Sequence, residues 1–121
     1  MGYRMETFLY GQTRYLDNPS WQEVETALKT LWDYRLAEPE DDYGFVILSA
    51  EPAVHNCQYV QTAQNYGEAE MSLEARFQHK GHFKHYHLDT DFKQVSKAFS
   101  AFLKGKRIFT LGWQDWTDQM R

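Results

Sequence analysis

The 121-residue chain has a single cysteine, Cys57, and lacks any long uninterrupted apolar segment. One cysteine excludes an internal disulfide framework and a four-cysteine zinc site, and it is typical of a reducing cytosol. No window approaches the roughly 18 apolar residues of a membrane span, and Arg4 and Glu6 interrupt the apolar core that a signal peptide would need. We therefore expect a soluble, cytoplasmic protein.

Signature motifs of catalysis are also missing. The sequence contains no Gly-x-Ser-x-Gly, His-Glu-x-x-His or Cys-x-x-Cys motif and no phosphate-binding glycine loop. Cys57 lies within an apolar strand pattern, which favours a buried thiol over a nucleophile. The sequence therefore favours a protein without enzymatic activity, and it indicates no cofactor.

Hydrophobic residues make up 42% of the chain and aromatic residues 17%, which is enough to fill one core. We expect one domain over residues 1–121. Alternating or apolar runs predict strands at residues 4–10, 45–48, 57–62, 68–77, 83–88 and 107–111, the first with a hairpin return through Gly11. The turns between the later strands are expected at Glu51-Pro52 and at Gly81.

Two helices are predicted between these strands. Ser20 and Glu23 form a capping box that starts the first helix at Trp21, and this helix ends near Leu36. Asp89 or Thr90 is expected to cap the second helix, which ends at Gly105. Strands joined by short turns with only two helices predict an α+β fold, a two-layer sandwich with a mainly antiparallel sheet of five to six strands and both helices on one face.

Charge is unevenly distributed along the chain. Residues 1–75 carry 4 basic and 13 acidic side chains, a net charge of −9, whereas residues 76–121 carry 9 basic and 4 acidic, a net charge of +5. A negative surface suits a basic protein partner, because complementary charge accelerates association. The same acidic residues are explained equally well if they only keep a solvent-exposed face of the sheet soluble. The candidate acidic surface comprises Glu38, Glu40, Asp41, Asp42, Glu68, Glu70 and Glu74.

Trp113 and Trp116, near the end of the chain, are further candidates for partner binding, because tryptophan is enriched among interface hot spots. Packing against the sheet is the alternative role for both. A sheet covered on one side by two helices also retains edge strands and a second face. Because two-fold pairing is the commonest arrangement of soluble oligomers, we expect that a homodimer covers one of them.

Histidines are concentrated in one segment of the chain, at His79, His82, His85 and His87. An alternative hypothesis is a small-ligand or metal site in this hairpin, with His82, His85 and His87 as the metal ligands. A solvated histidine-rich hairpin accounts for the same residues. Nucleic-acid binding by the basic residues that follow Arg76 is disfavoured, because the chain as a whole is acidic.

The order of elements, with Phe102, Leu103 and Gly105 at the end of the second helix and Trp113 shortly after, resembles the small α+β immunity proteins of bacterial polymorphic toxin systems, often found beside deaminase toxins. The segment Arg107-Ile108-Phe109 departs from the proline-containing segment expected after the glycine. The resemblance implies a bacterial, non-enzymatic protein that binds and blocks a cognate toxin. A basic toxin domain is therefore the expected partner.

Overall fold

The computed structural model describes residues 2–34, 44–64 and 70–120. The strands are β1 (Gly2–Leu9), β2 (Gln12–Asp17), β3 (Phe45–Val54), β4 (Cys57–Gln64), β5 (Met71–His79), β6 (His82–Thr90) and β7 (Gln114–Asp115). The helices are α1 (Trp21–Tyr34) and α2 (Phe92–Leu103), and a 3-10 turn follows at Asp118–Met120. The seven strands form one open sheet in the order β2-β1-β3-β4-β5-β6-β7, with every neighbouring pair antiparallel.

The α+β class is confirmed, and the sheet has more strands than the five to six predicted. The hairpin return after Gly11 is a full strand, β2. Residues 107–111, predicted as the last strand, do not form one; β7 lies further along and pairs with Tyr86 and His87 of β6. The reason is local: the amide of Trp113 donates to the carbonyl of Thr110 and Gly112 has a positive φ, so the chain turns here and pairs with β6 only from Gln114.

Tight two-residue hairpins connect successive strands. Tyr10-Gly11 and Lys80-Gly81 both have positive φ at the two central positions, which matches the twist of the strands they join, and both turns were predicted at their glycines. The turn between β3 and β4 was predicted at Glu51-Pro52 but lies at His55-Asn56, which also have positive φ. The prediction was wrong because β3 continues through Pro52, with an irregular register between Ser49 and Val54.

The helix ends follow local chemistry. The backbone amide of Ser20 donates to Oε1 of Glu23 at 2.9 Å and the amide of Glu23 donates to Oγ of Ser20 at 3.2 Å, so the predicted capping box forms. The cap of α2 is Asp91, which accepts from the amide of Gln94, and not Asp89 or Thr90 as predicted. Strand β6 extends through Thr90, so only the next residue is free to begin the helix.

Both helices pack on the same face of the sheet. They contact each other as well as β3 and β4, and each buries one side, α1 through Val24, Leu28 and Leu31, and α2 through Val95, Phe99 and Phe102. Beneath them lies a row of directly opposite, buried sheet residues: Met5, Leu48, Val60 and Ala75. This layer contains the hydrophobic core, and the other face of the sheet lacks a helix among the described residues.

Candidate functional site

The face of the sheet opposite the helices is the candidate functional site. Successive strand residues point to opposite faces, so the positions that alternate with the core share this second side. We call it the open face; it comprises Arg4, Glu6, Phe8, Tyr15, Phe45, Ile47, Tyr59, Gln61, Glu74, Arg76, Phe83, His85 and His87. Across the centre of the sheet, Glu6, Ile47, Gln61, Glu74 and His87 lie directly opposite one another on five neighbouring strands.

Aromatic side chains and arginines dominate the sides of the open face. The rings of Phe8 and Phe45 stack with centroids 5.7 Å apart. The guanidinium of Arg4 lies 5.3 Å from the ring centre of Tyr15, which is 59% exposed. On the opposite side of the face, the guanidinium of Arg76 lies 4.1 Å above the ring of Phe83. Each arginine thus forms a cation–π contact with an aromatic ring of the same face.

A buried polar pair lies at the centre of strands β5 and β6. Nε2 of His85, a residue with no exposed surface, is hydrogen-bonded to Oε1 of Glu74 at 2.7 Å. Gln61 donates from its amide to Oε2 of the same carboxylate at 3.0 Å. A second carboxylate, that of Asp89, is hydrogen-bonded through Oδ1 to Nε2 of His87 at 3.0 Å. Carboxylates therefore orient both imidazole rings of the open face.

The segment that follows α2 covers one end of this polar cluster. The indole of Trp116 stacks on the imidazole of His87, with centroids 3.8 Å apart and planes 3° from parallel. The amide of Trp116 donates to the carbonyl of His85, and the amide of His85 donates to Oγ1 of Thr117. Hydrogen bonds from Thr117 in turn lower the pKa of Asp115. The chain end is thus attached to the edge of β6.

The predicted partner-binding residues are spread over several places. Glu74 and Trp116 contribute to the open face, where both are engaged in the contacts described above. Glu70 is exposed just before β5, and Trp113 lies in the helical layer, half-buried against the core. Glu38, Glu40, Asp41, Asp42 and Glu68 lie outside the described residues. The acidic surface as a whole therefore stays a prediction.

The structure does not bring the three alternative metal ligands together. His85 and His87 share the open face, but His82 is three residues from His85 and so belongs to the opposite side of β6. Within residues 2–34, 44–64 and 70–120, no three His, Cys, Asp or Glu side chains are grouped as a metal site would require.

The thiol of Cys57 is buried, as the sequence predicted. This burial raises its pKa to about 12, so the nucleophilic thiolate is strongly disfavoured.

Sequence reasoning missed the aromatic part of the open face. The run Phe45-Val46-Ile47-Leu48 predicts a strand because all four residues are apolar. In the structure Val46 and Leu48 are fully buried, whereas Phe45 and Ile47 remain half-exposed on the open face. Four consecutive apolar residues contain no alternation, so the sequence offered no signal for this difference.

Comparison of the chain with protein-family models, with curated proteins and with solved structures found no match. None of the helices in the described part of the chain is long and apolar enough to span a membrane.

Proposed function

We propose that the chain is a non-enzymatic protein-binding module whose partner contacts the open face. The observation that carries this proposal is the set of aromatic and arginine side chains on the sheet surface that the helices leave uncovered: Arg4, Phe8, Tyr15, Phe45, Tyr59, Arg76, Phe83 and Trp116. Tyrosine, tryptophan, phenylalanine and arginine are enriched at the centres of protein interfaces and among their energetic hot spots.

The polar groups of the open face support the same assignment. Glu74, Gln61 and His85 are already hydrogen-bonded to one another, so covering them costs less than burying groups that must first lose bound water. Arg4 and Arg76 already contact aromatic rings in the free protein, so their side chains should lose less entropy on binding than free arginines would. The carboxylates of Glu6 and Glu74 offset the charges of Arg4 and Arg76, so these four residues supply no net positive charge for a phosphate backbone, which favours a protein over a nucleic acid.

The more specific form of the proposal is a bacterial immunity protein. Its support is the resemblance in element order and in the residues Phe102, Leu103, Gly105 and Trp113. The partner would then be a toxin domain, and the net charge of −9 on residues 1–75 favours a basic one.

The test compares partner recovery by matched surface variants. Tagged wild-type protein, expressed in the native host, should retain one protein in stoichiometric amount, identified by mass spectrometry. Ile47→Lys, at the centre of the open face, should lose that protein. Gln22→Lys, on the exposed side of α1, adds the same charge on the helical side and should retain it. Recovery of the same partner by both variants, or of none by the wild type, would refute the proposal.

The immunity form requires one more result. The recovered partner, expressed alone, should arrest growth, and co-expression of the wild-type chain but not of Ile47→Lys should restore it. A partner that is harmless when expressed alone would retain the binding module and exclude the immunity role.

Self-association is a second candidate property, favoured by a separate observation. Strand β2 forms one edge of the sheet, and all six of its residues are exposed. An exposed edge strand of this length is a template for pairing with another strand. A homodimer joined along β2 would satisfy its free backbone groups.

A further inference from the structure

A groove with an apolar floor lies in the helical layer, on the side of the molecule away from the open face. It runs between α2 and residues 106–113 and encloses about 450 Å³, within the range of roughly 300–1,000 Å³ that small-molecule sites occupy. Its apolar lining consists of Leu73, Leu88, Ala98, Ala101, Ile108, Phe109 and Trp113. A groove of this composition favours an apolar ligand of limited size.

Cations surround this groove. Lys97, Lys106 and Arg107 belong to its lining, and the lining contains no carboxylate. All three side chains are exposed, and among the described residues none of them forms an ion pair, in contrast to Lys29 and Lys84. The groove therefore combines an apolar interior with unneutralised positive charge at its border.

Two strongly exposed apolar side chains follow the buried groove residue Ile108 in the sequence, and the first of them, Phe109, lines the groove. Phe109 is 80% exposed and Leu111 is 99% exposed, although both follow closely on the buried Ile108. Exposed apolar groups clustered beside a groove mark interaction sites more often than isolated ones do. Phe109 therefore gives an acyl chain an apolar contact beyond the buried floor of the groove.

From these observations we infer that the groove binds an anionic amphiphile with a single acyl chain, of the long-chain carboxylate class. The apolar lining removes the acyl chain from water, and the head group forms charge-assisted hydrogen bonds with Lys97, Lys106 and Arg107. A nucleic acid would leave the apolar floor uncovered. This ligand site uses none of the residues of the open face and is independent of the proposed function.

The test is a titration with a fluorescent fatty-acid probe, 11-(dansylamino)undecanoate, followed by displacement with dodecanoate below its micelle concentration. Wild-type protein should bind the probe, and dodecanoate should displace it more effectively than the uncharged dodecanol. The double variant Lys97→Glu/Lys106→Glu reverses the charge of the groove and should raise the Kd of the probe by about tenfold or more.

Matched controls separate groove charge from net charge and from misfolding. Lys93→Glu/Lys104→Glu makes the same change in net charge on exposed lysines of α2 and its C-terminal end that do not line the groove, and should leave the Kd within about twofold of wild type. Ala101→Leu fills the groove and should weaken probe binding while the circular dichroism spectrum and melting transition remain those of a folded protein.

Three outcomes would overturn the inference. One is the absence of probe binding to wild-type protein, and another is equal weakening by the two double variants. The third is binding to phosphatidylglycerol vesicles that dodecanoate does not compete with, which would assign the exposed Phe109 and Leu111 to a lipid surface instead.

Discussion

The buried imidazole of His85 shows how a polar side chain is accommodated on the open face. His85 has no exposed surface, yet its Nε2 has a carboxylate partner in Glu74, whose side chain is only 12% exposed. Nδ1 of His85 has no hydrogen-bond partner among the described residues. The imidazole of His85 therefore has one hydrogen-bond partner, and its hydrogen-bonding contribution to the stability of the fold depends on Glu74.

Removal of this contact should destabilise the fold. Glu74→Ala leaves a fully buried imidazole with no partner, and the expected loss is about 1–3 kcal/mol of unfolding free energy. Glu74→Gln retains a hydrogen-bonding group at the same place and should lose less. Urea denaturation measures both. Glu70→Ala, an exposed carboxylate next to the same strand, should stay within about 0.5 kcal/mol of wild type, and an equal loss at both positions would contradict the assigned role.

We expect the unfolding free energy to decrease at alkaline pH because of Cys57. Burial raises the pKa of the folded thiol from 9.0 to about 12. Above about pH 9 the unfolded chain releases a proton that the folded chain keeps, so the stability associated with the neutral thiol is complete below that pH and is lost as the pH rises toward 12. The unfolding free energy of wild type should therefore fall more steeply than that of Cys57→Ala, which has no thiol.

The measurement is a series of urea denaturations from about pH 8 to about pH 11 on both proteins. The advantage of wild type over Cys57→Ala should shrink with increasing pH. A constant difference would show that the thiol does not titrate differently in the folded and unfolded states. Labelling with Ellman's reagent provides a second check, because the native thiol should react only as fast as the protein opens.

Secondary-structure elements with local signals could be predicted well from the sequence. The capping box at Ser20 and Glu23 lies within four residues, and the glycines of two hairpins act on their own turns. The second helix also ends as predicted: Gly105 donates to Phe102 and Lys106 to Ala101, the two hydrogen bonds of a Schellman motif. Each of these features depends only on neighbours in the chain.

Features that depend on strand pairing could not be predicted in the same way. Glu74 is hydrogen-bonded to Gln61 and His85, which lie 13 and 11 residues away. These neighbours cover most of its side chain, although the sequence pattern predicts a solvent-exposed residue there. The extension of β3 past Pro52 and the attachment of residues 116–117 to β6 also require a known register. Without that register, the open face could not be located from the sequence.

Variants of the α2 cap test whether Asp91 is the residue that stabilises the start of this helix. Oδ1 of Asp91 accepts from the amide of Gln94 at 3.0 Å. Asp91→Ala should cost about 1 kcal/mol of unfolding free energy, within the usual range of about 0.5–2, whereas Asp91→Asn should keep most of it. Thermal denaturation followed by circular dichroism gives both values. If Asp91→Ala stayed within about 0.5 kcal/mol of wild type, Asp91 would not be the residue that caps the helix.

The two edges of the sheet differ in how far their backbone is covered. At one edge β7 pairs for only two residues, and the backbone amide of Trp116 and the side-chain hydroxyl of Thr117 form further hydrogen bonds with His85 of β6. At the other edge β2 is six residues long and fully exposed. Among the described residues β2 is the one long open edge, and its antiparallel pairing with the β2 of a second copy would join two sheets into a continuous one.

The register of this pairing determines a sharp test of the dimer. A two-fold axis through Tyr15 places this residue opposite its own copy, Arg14 opposite Leu16 and Thr13 opposite Asp17, so no like charges face each other. We expect light scattering to give twice the 14.4 kDa mass of the chain at high concentration. Tyr15→Lys places two like charges directly opposite each other at the axis and should shift the mass to the monomer, whereas Tyr15→Phe keeps the aromatic pair and should not. A monomer mass for the wild type at high concentration, or equal dissociation by both variants, would rule out this arrangement.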